Sequence, residues 1–146
     1  MSPKPNLLIL CTGNSCRSQM AEGYLRGLGG ARFDVHSAGT EPAERVHPVA
    51  IQVMAEDGID ISSGRPQHLN EFWGRIDVRY LIIVCSGAQE SCPRSLPGVS
   101  EKLFWPFDDP AAYRGSQQET LAEFRRVRDQ IKQQVLSWLE IEGKQT

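Results

Sequence analysis

The chain has 146 residues, enough for one domain with a core of its own. Hydrophobic residues make up 40% and charged residues 23%, with 16 basic against 18 acidic side chains and a net charge of −2. That balance excludes a general nucleic-acid binder, which should be basic, and leaves room for a small anion held by a local positive site.

The apolar run "NLLIL" is broken by Cys11, Gly13 and Asn14. It is too short for a signal peptide or a membrane span, so a cytoplasmic location with reduced thiols is expected. Residues 5–10 predict a buried strand bounded by turn signals. Met20, Ala21, Tyr24, Leu25 and Leu28 then recur at helical spacing, closed by a Gly pair. Residues 32–39 read as a short strand ending at Gly39, and Val46 to Asp57 as a helix stopped by Gly58. Residues 78–85, "VRYLIIVC", form the strongest strand signal, apolar enough to be buried on both faces. Residues 86–100 read as loop, and "KLFWPF" as one more short strand before "DDP". From Gln117 to Leu139 the stripe Leu121, Phe124, Val127, Ile131, Val135, Trp138 and Leu139 predicts an amphipathic helix.

Strands alternating with helices predict a single α/β domain over residues 1–146, with a four-stranded parallel sheet and helices on both faces. Ligands in such sheets bind at the carboxyl ends of the strands. Cys11 and Cys85 both lie at that end. With Cys16 and Cys92 they make four cysteines, too few for a disulfide scaffold. They are core residues, metal ligands or reactive thiols, and no cysteine–histidine pairing has zinc spacing.

The segment "CTGNSCRS" joins a strand to a helix start, the layout of a backbone anion cradle. Thr12, Gly13, Asn14, Ser15, Cys16, Arg17 and Ser18 are the candidate oxyanion-binding residues. Gly13 permits a turn without Cβ clashes, and Asn14 tolerates a left-handed conformation. Arg17 offers a planar fork for two oxygens of a tetrahedral oxyanion. Cys11 at the mouth would be a thiolate nucleophile with a lowered pKa, and Ser18 could donate to its sulfur. Cys16 reads as a small packing residue. The plain alternative for the whole segment is a strand-end cysteine followed by an ordinary turn.

"CTGNSCRSQMAEG" resembles the signature of the low-molecular-weight protein tyrosine phosphatase superfamily, and more closely that of the thioredoxin-coupled arsenate reductases built on that fold. Arg17 is followed by Ser18 and Gln19, as in the reductases, where the phosphatases usually have Ser-Pro. "HSAGTE", "IDIS", "VCSGAQESCP", "FDDPA" and "FRRVRDQI" fall in the same order and spacing over nearly the whole chain. The resemblance implies a general acid at the Asp before Pro, Asp109. The phosphatases' Asp-Pro-Tyr is absent here, which weighs against a phosphotyrosine substrate. It also implies, for some relatives, a potassium ion beside the loop. Its ligands correspond to Asn14, Glu22 and Ser37, with Gln67 where those relatives have an Asp. An amide oxygen there can coordinate but brings no charge. No other cofactor is expected.

Cys85 and Cys92 are seven residues apart. On an intact helix that is two turns, about 10.5 Å of rise. A disulfide needs Cα atoms within about 7 Å, so the pair closes only where the segment between them is not helical. Reducing As(V) to As(III) takes two electrons, the yield of turning two thiols into one disulfide. A third thiol could carry that disulfide out of the anion site by exchange. Two alternatives stay open at this point. One is a phosphatase of the same fold, needing Cys11, Arg17 and Asp109 only. The other is a redox sensor or anion-binding module without turnover. The expected partners are arsenate, with phosphate or sulfate as mimics, and thioredoxin as reductant. Neither nucleic acid nor a membrane is expected, and the chain is expected to be a monomer.

Overall fold

The computed structural model describes residues 4–85 and 98–145. The 86–97 segment, with Cys92 and most of the expected loop, lies outside them. The elements are β1 (Asn6–Cys11), α1 (Arg17–Gly29), β2 (Asp34–Gly39), α2 (Pro48–Glu56), β3 (Val78–Ile83), β4 (Val99–Phe104) and α3 (Gln117–Gln145). The strands form one parallel sheet in the order β2-β1-β3-β4. The central strands carry the apolar runs. Leu7, Leu8, Ile9 and Leu10 of β1 and Leu81, Ile82 and Ile83 of β3 are all buried, as strands covered on both faces must be. β4 at the edge is mostly exposed and carries Glu101 and Lys102, charges that discourage pairing with another chain.

The stripe expected on α3 is the one that packs. Phe124, Val127, Ile131 and Val135 are fully buried, each contributing about 1.5–3 kcal/mol. Trp138 closes the far end, with ring centroids 5.2 Å from Tyr80, 5.4 Å from Phe33 and 5.9 Å from Trp105. Ion pairs tie α3 to the end of α2: Glu56 meets Arg125 at 2.7 Å and Arg128 at 3.0 Å, and Asp57 meets Lys132 at 3.0 Å.

Three expectations need correction. α1 begins at Arg17, three residues before the first apolar position, because the cradle runs directly into the helix. Leu28 is 44% exposed rather than core, since the last turn of α1 extends past the sheet's cover. β4 starts at Val99, inside the stretch read as loop, and ends at Phe104. Its charged residues hid it, because an edge strand needs no apolar run.

Candidate active site

β1 ends at Cys11 and α1 starts at Arg17, so the chain turns through Thr12–Cys16 at the carboxyl edge of the sheet. The carbonyls of this turn can be accounted for one by one. Those of Cys11, Thr12, Gly13 and Ser15 accept from the backbone N–H groups of Thr40, Glu41, Ala43 and His47, at 3.2, 2.9, 2.8 and 2.9 Å. That of Asn14 accepts from Gln19 Nε2 at 3.1 Å, and that of Cys16 from Met20 N at 2.9 Å. Residues 40–47 thus lie along the outside of the turn and draw its carbonyls outward. The N–H groups are left facing the other way, which is the arrangement of an anion-binding nest. Helix α1 adds its positive end, with no side-chain cap and no acidic residue in its first turn.

Asn14 is the hinge of the turn. It is fully buried and has a left-handed φ of 50°. Its Nδ2 donates to Ser18 Oγ at 2.8 Å, and its Oδ1 accepts from Gln67 N at 2.9 Å and from Gln19 Nε2 at 3.3 Å. The left-handed residue is therefore Asn14, and not Gly13, whose φ is ordinary and whose added Cβ would meet nothing within 4 Å. The glycine that matters is Gly39, at the end of β2. A Cβ there would stand 2.4 Å from the Thr12 carbonyl oxygen and 3.1 Å from Asn14. Ser18 was expected to donate to the Cys11 sulfur; the hydrogen bond found at its hydroxyl comes from Asn14.

Arg17 lies across the mouth, 14% exposed in its side chain. Nη1 donates to the Phe107 carbonyl at 3.0 Å, and Nη2 lies 3.7 Å from Asp109 Oδ2. Nε is buried with no partner among the described residues, a donor available to an oxyanion. Asp109 caps a short 3-10 turn through Ala111 N at 3.0 Å and stands 4.0 Å from the Cys16 sulfur. Asp108 is turned away, 74% exposed and paired with Arg126 at 3.1 Å. Of the two adjacent carboxylates, Asp109 is the one that stands beside Arg17.

Cys11, Cys16 and Cys85 are all buried, and none of the described cysteines forms a disulfide. Val84 N bonds to the Leu10 carbonyl at 3.0 Å, which carries the end of β3 alongside the end of β1. Cys85, two residues beyond β3, therefore sits beside the cradle. Its sulfur is 3.3 Å from Thr12 Oγ1 and within hydrogen-bonding reach of the Cys11 thiol. This neighbour overturns one expectation. The Cys11 thiol is pushed up from the ordinary cysteine range, first by the hydrogen bond with Cys85 and then by burial. Arg17 and the Thr12 N–H act in the expected downward direction but are outweighed. Cys16 is pushed up to about 11, by burial and then by the Asp109 carboxylate, and packs as a neutral thiol.

The oxygens that the resemblance offers to potassium are taken by protein groups. Asn14 Oδ1 already has two donors. Ser37, 1% exposed, donates to Glu22 Oε1 at 2.5 Å, and the other Glu22 oxygen meets Arg26 Nε at 3.0 Å. The residues present do not fit a potassium ion. Among the described residues no group of three or more His, Cys, Asp and Glu could hold a metal.

Gln19 and His47 were missed as site residues. Gln19 entered the sequence reading only as a mark of the reductase-like signature, with no role attached. It holds Asn14 and reaches the Arg65 carbonyl at 3.2 Å. His47 caps α2 by accepting from Val49 N at 3.1 Å, and its ring lies 4.8 Å from that of Phe124.

The family "Low molecular weight phosphotyrosine protein phosphatase" matches residues 6–145. An arsenate reductase of Halalkalibacterium halodurans is 42% identical over 94% of this chain and 96% of its own. A solved structure described as an arsenate reductase in the phosphate-binding state superposes with a TM-score of 0.74, at 34% identity over 93% of this chain and 97% of that one. A thioredoxin-dependent arsenate reductase of Corynebacterium glutamicum superposes with a TM-score of 0.62, at 28% identity over 92% of this chain and 63% of that one. The strand-to-helix cradle, the thiol pair at its mouth and these likenesses agree: the chain belongs to the low molecular weight phosphotyrosine protein phosphatase family, on the branch whose members are named arsenate reductases.

Proposed function

We propose that this protein reduces arsenate to arsenite, using Cys11, Cys85 and Cys92 in turn, and so serves arsenic detoxification. The single observation that carries the reading is the Cys85 thiol beside Cys11 at the mouth of an oxyanion cradle. A phosphatase needs no second thiol there.

Arsenate binds the N–H groups of residues 12–17 and the Arg17 fork, where the buried Nε awaits an oxygen. The phosphate-bound relative supports a tetrahedral oxyanion as the ligand. The Cys11 thiolate attacks arsenic, and Asp109 gives its proton to the departing oxygen, which leaves as water. The proton that burial and Cys85 keep on the Cys11 thiol passes to a basic oxygen of the bound arsenate as the sulfur attacks. Cys85 then attacks the Cys11 sulfur. The sulfur–arsenic bond breaks with its electron pair going to arsenic, arsenite leaves, and a Cys11–Cys85 disulfide remains. Because the two thiols are already neighbours, this step asks for no rearrangement of β1 or β3. Cys92 next attacks Cys85, freeing Cys11 and leaving a Cys85–Cys92 disulfide. A dithiol protein, thioredoxin, reduces that bond, as the Corynebacterium relative's dependence supports. The chemistry needs a reducing compartment, the cytoplasm. No step runs through potassium or any other cofactor.

The test is arsenate-dependent turnover with a thioredoxin system, comparing wild type with Cys85→Ser and Cys92→Ser. Both variants should lose multiple turnover while keeping activity toward a small aryl phosphate. Undiminished arsenate turnover in both would refute the relay.

A further inference from the structure

The rear wall of the cradle holds a charge that needs an explanation. Glu22 lies one turn along α1 from Ser18, and its side chain is only 18% exposed. One oxygen accepts a hydrogen bond from the Ser37 hydroxyl, in the middle of β2. A carboxylate in that setting needs a positive partner. Arg26 supplies it, with Nε 3.0 Å from the other Glu22 oxygen.

An Arg–Glu pair four residues apart on a helix is by itself ordinary, and an exposed one contributes little. Arg26 does more than pair along its helix. Its Nη2 donates to the Val35 carbonyl of β2 at 2.6 Å. The guanidinium therefore bridges a helix carboxylate and a strand carbonyl, two residues before the serine that the same carboxylate grips. Carboxylate and carbonyl oxygens converging on one positive group are the donor set a monovalent cation would take. The charge is felt locally: His36, between Val35 and Ser37, is held below the ordinary histidine range by burial first and by Arg26 second.

We propose that Arg26 is the built-in cation of the cradle's rear wall. It locks α1 to β2 and leaves this protein indifferent to potassium. Glu22 and the Val35 carbonyl are its direct partners, and Ser37 is held through Glu22. The cradle is then supported from both sides, by the 40–47 segment outside and by the Arg26 bridge behind. The role of Arg26 is one of positioning: its side-chain bonds go to Glu22 and the Val35 carbonyl, and it acts through α1, whose first residue is Arg17. The inference rests on the oxyanion reading of the cradle only for its effect on ligand affinity.

The experiment compares wild type, Arg26→Lys and Arg26→Ala in potassium, sodium and tetramethylammonium chloride at one ionic strength. Two quantities are read: the thermal midpoint and the affinity for inorganic phosphate. Wild type and Arg26→Lys should give the same values in all three salts. Arg26→Ala should bind phosphate about threefold more weakly in tetramethylammonium, the loss of an ion pair whose carboxylate is largely buried and whose arginine is 59% exposed. Potassium or sodium should restore part of both its affinity and its thermal midpoint. A wild-type protein stabilised by potassium over tetramethylammonium would overturn the proposal. So would an Arg26→Ala variant that matches wild type, or one weakened equally in every salt. Should wild type not bind phosphate at all, the cradle reading falls, and the melting comparison still judges Arg26.

Discussion

Removing the Asn14 side chain should damage the site more than its size suggests. Asn14→Ala deletes three hydrogen bonds, at 2.8, 2.9 and 3.3 Å, and leaves the Gln67 N–H, the Ser18 hydroxyl and the Gln19 amide short of a partner. Counting the two shorter bonds at about 1 kcal/mol each gives about 2 kcal/mol. Alanine must also adopt φ 50°, which costs about 1 kcal/mol more than it does for asparagine. The sum is about 3 kcal/mol, a large share of the roughly 5–15 kcal/mol of an ordinary domain. Asn14→Gly loses the same bonds without the backbone strain and should cost about 2 kcal/mol. With an m-value of about 2 kcal/mol per molar urea, the midpoints should fall by about 1.5 M and about 1 M. Phosphate affinity, measured by calorimetry, should fall in both variants, because the N–H groups lose their aim. An alanine variant within about 0.5 kcal/mol of wild type, with affinity unchanged, would refute the view that Asn14 braces the loop.

Gly39→Ala should abolish phosphate binding and destabilise by several kcal/mol, because its Cβ collides with backbone; Gly13→Ala should fold normally, since nothing stands near its Cβ. Urea titrations of the pair make the comparison, and equal stability of the two variants would contradict it. At pH 8, Cys16 in the native protein should react with iodoacetamide roughly 200-fold more slowly than free cysteine, the ratio of thiolate fractions for pKa values of about 11 and about 8.5. Peptide mapping reads the rate. His47 should make stability depend on pH. Burial lowers its folded pKa, against an upward pull from Asp109 and alongside a downward one from Arg45. The unfolded chain then binds more protons near pH 6.5, so this contribution is full above the unfolded value and is lost as pH falls through the folded one. Denaturation curves between pH 7.5 and 5.5 should show a shallower slope for His47→Asn, which can still cap α2.

Much of this site was legible because its chemistry is local in sequence. Cys11, the turn and Arg17 lie within seven residues, bounded by an apolar run and an apolar stripe that betray strand and helix. Cys85 was legible through its position at the end of the strongest strand, while Asp109 came only from the family resemblance, which puts an acid before that proline. What escaped was set by contacts across the fold. The raised pKa of Cys11 depends on Cys85, 74 residues away in the sequence. The bracing by Gln19 depends on Asn14 and Arg65, which no period or spacing connects. The left-handed position fell to Asn14 rather than Gly13 because the asparagine side chain finds partners there and a glycine would find none. β4 was misplaced because an exposed edge strand satisfies its sequence with charges.

The 40–47 segment has a consequence for how this site would look to mutagenesis. It holds the cradle with main-chain N–H groups from residues 40, 41, 43 and 47, while its proline, Pro42, falls on a position that donates nothing. Glu41, Ala43, Glu44 and Arg45 point their side chains to solvent. An alanine scan would pass over Glu41, Glu44 and Arg45 in silence and mark the stretch as dispensable surface. Proline substitutions at 41 and 43 would instead strip the carbonyls of Thr12 and Gly13 and open the nest. The same property makes the stretch a free canvas: its charge can be rewritten to tune how a docking protein or an approaching anion meets the mouth, without disturbing the geometry beneath.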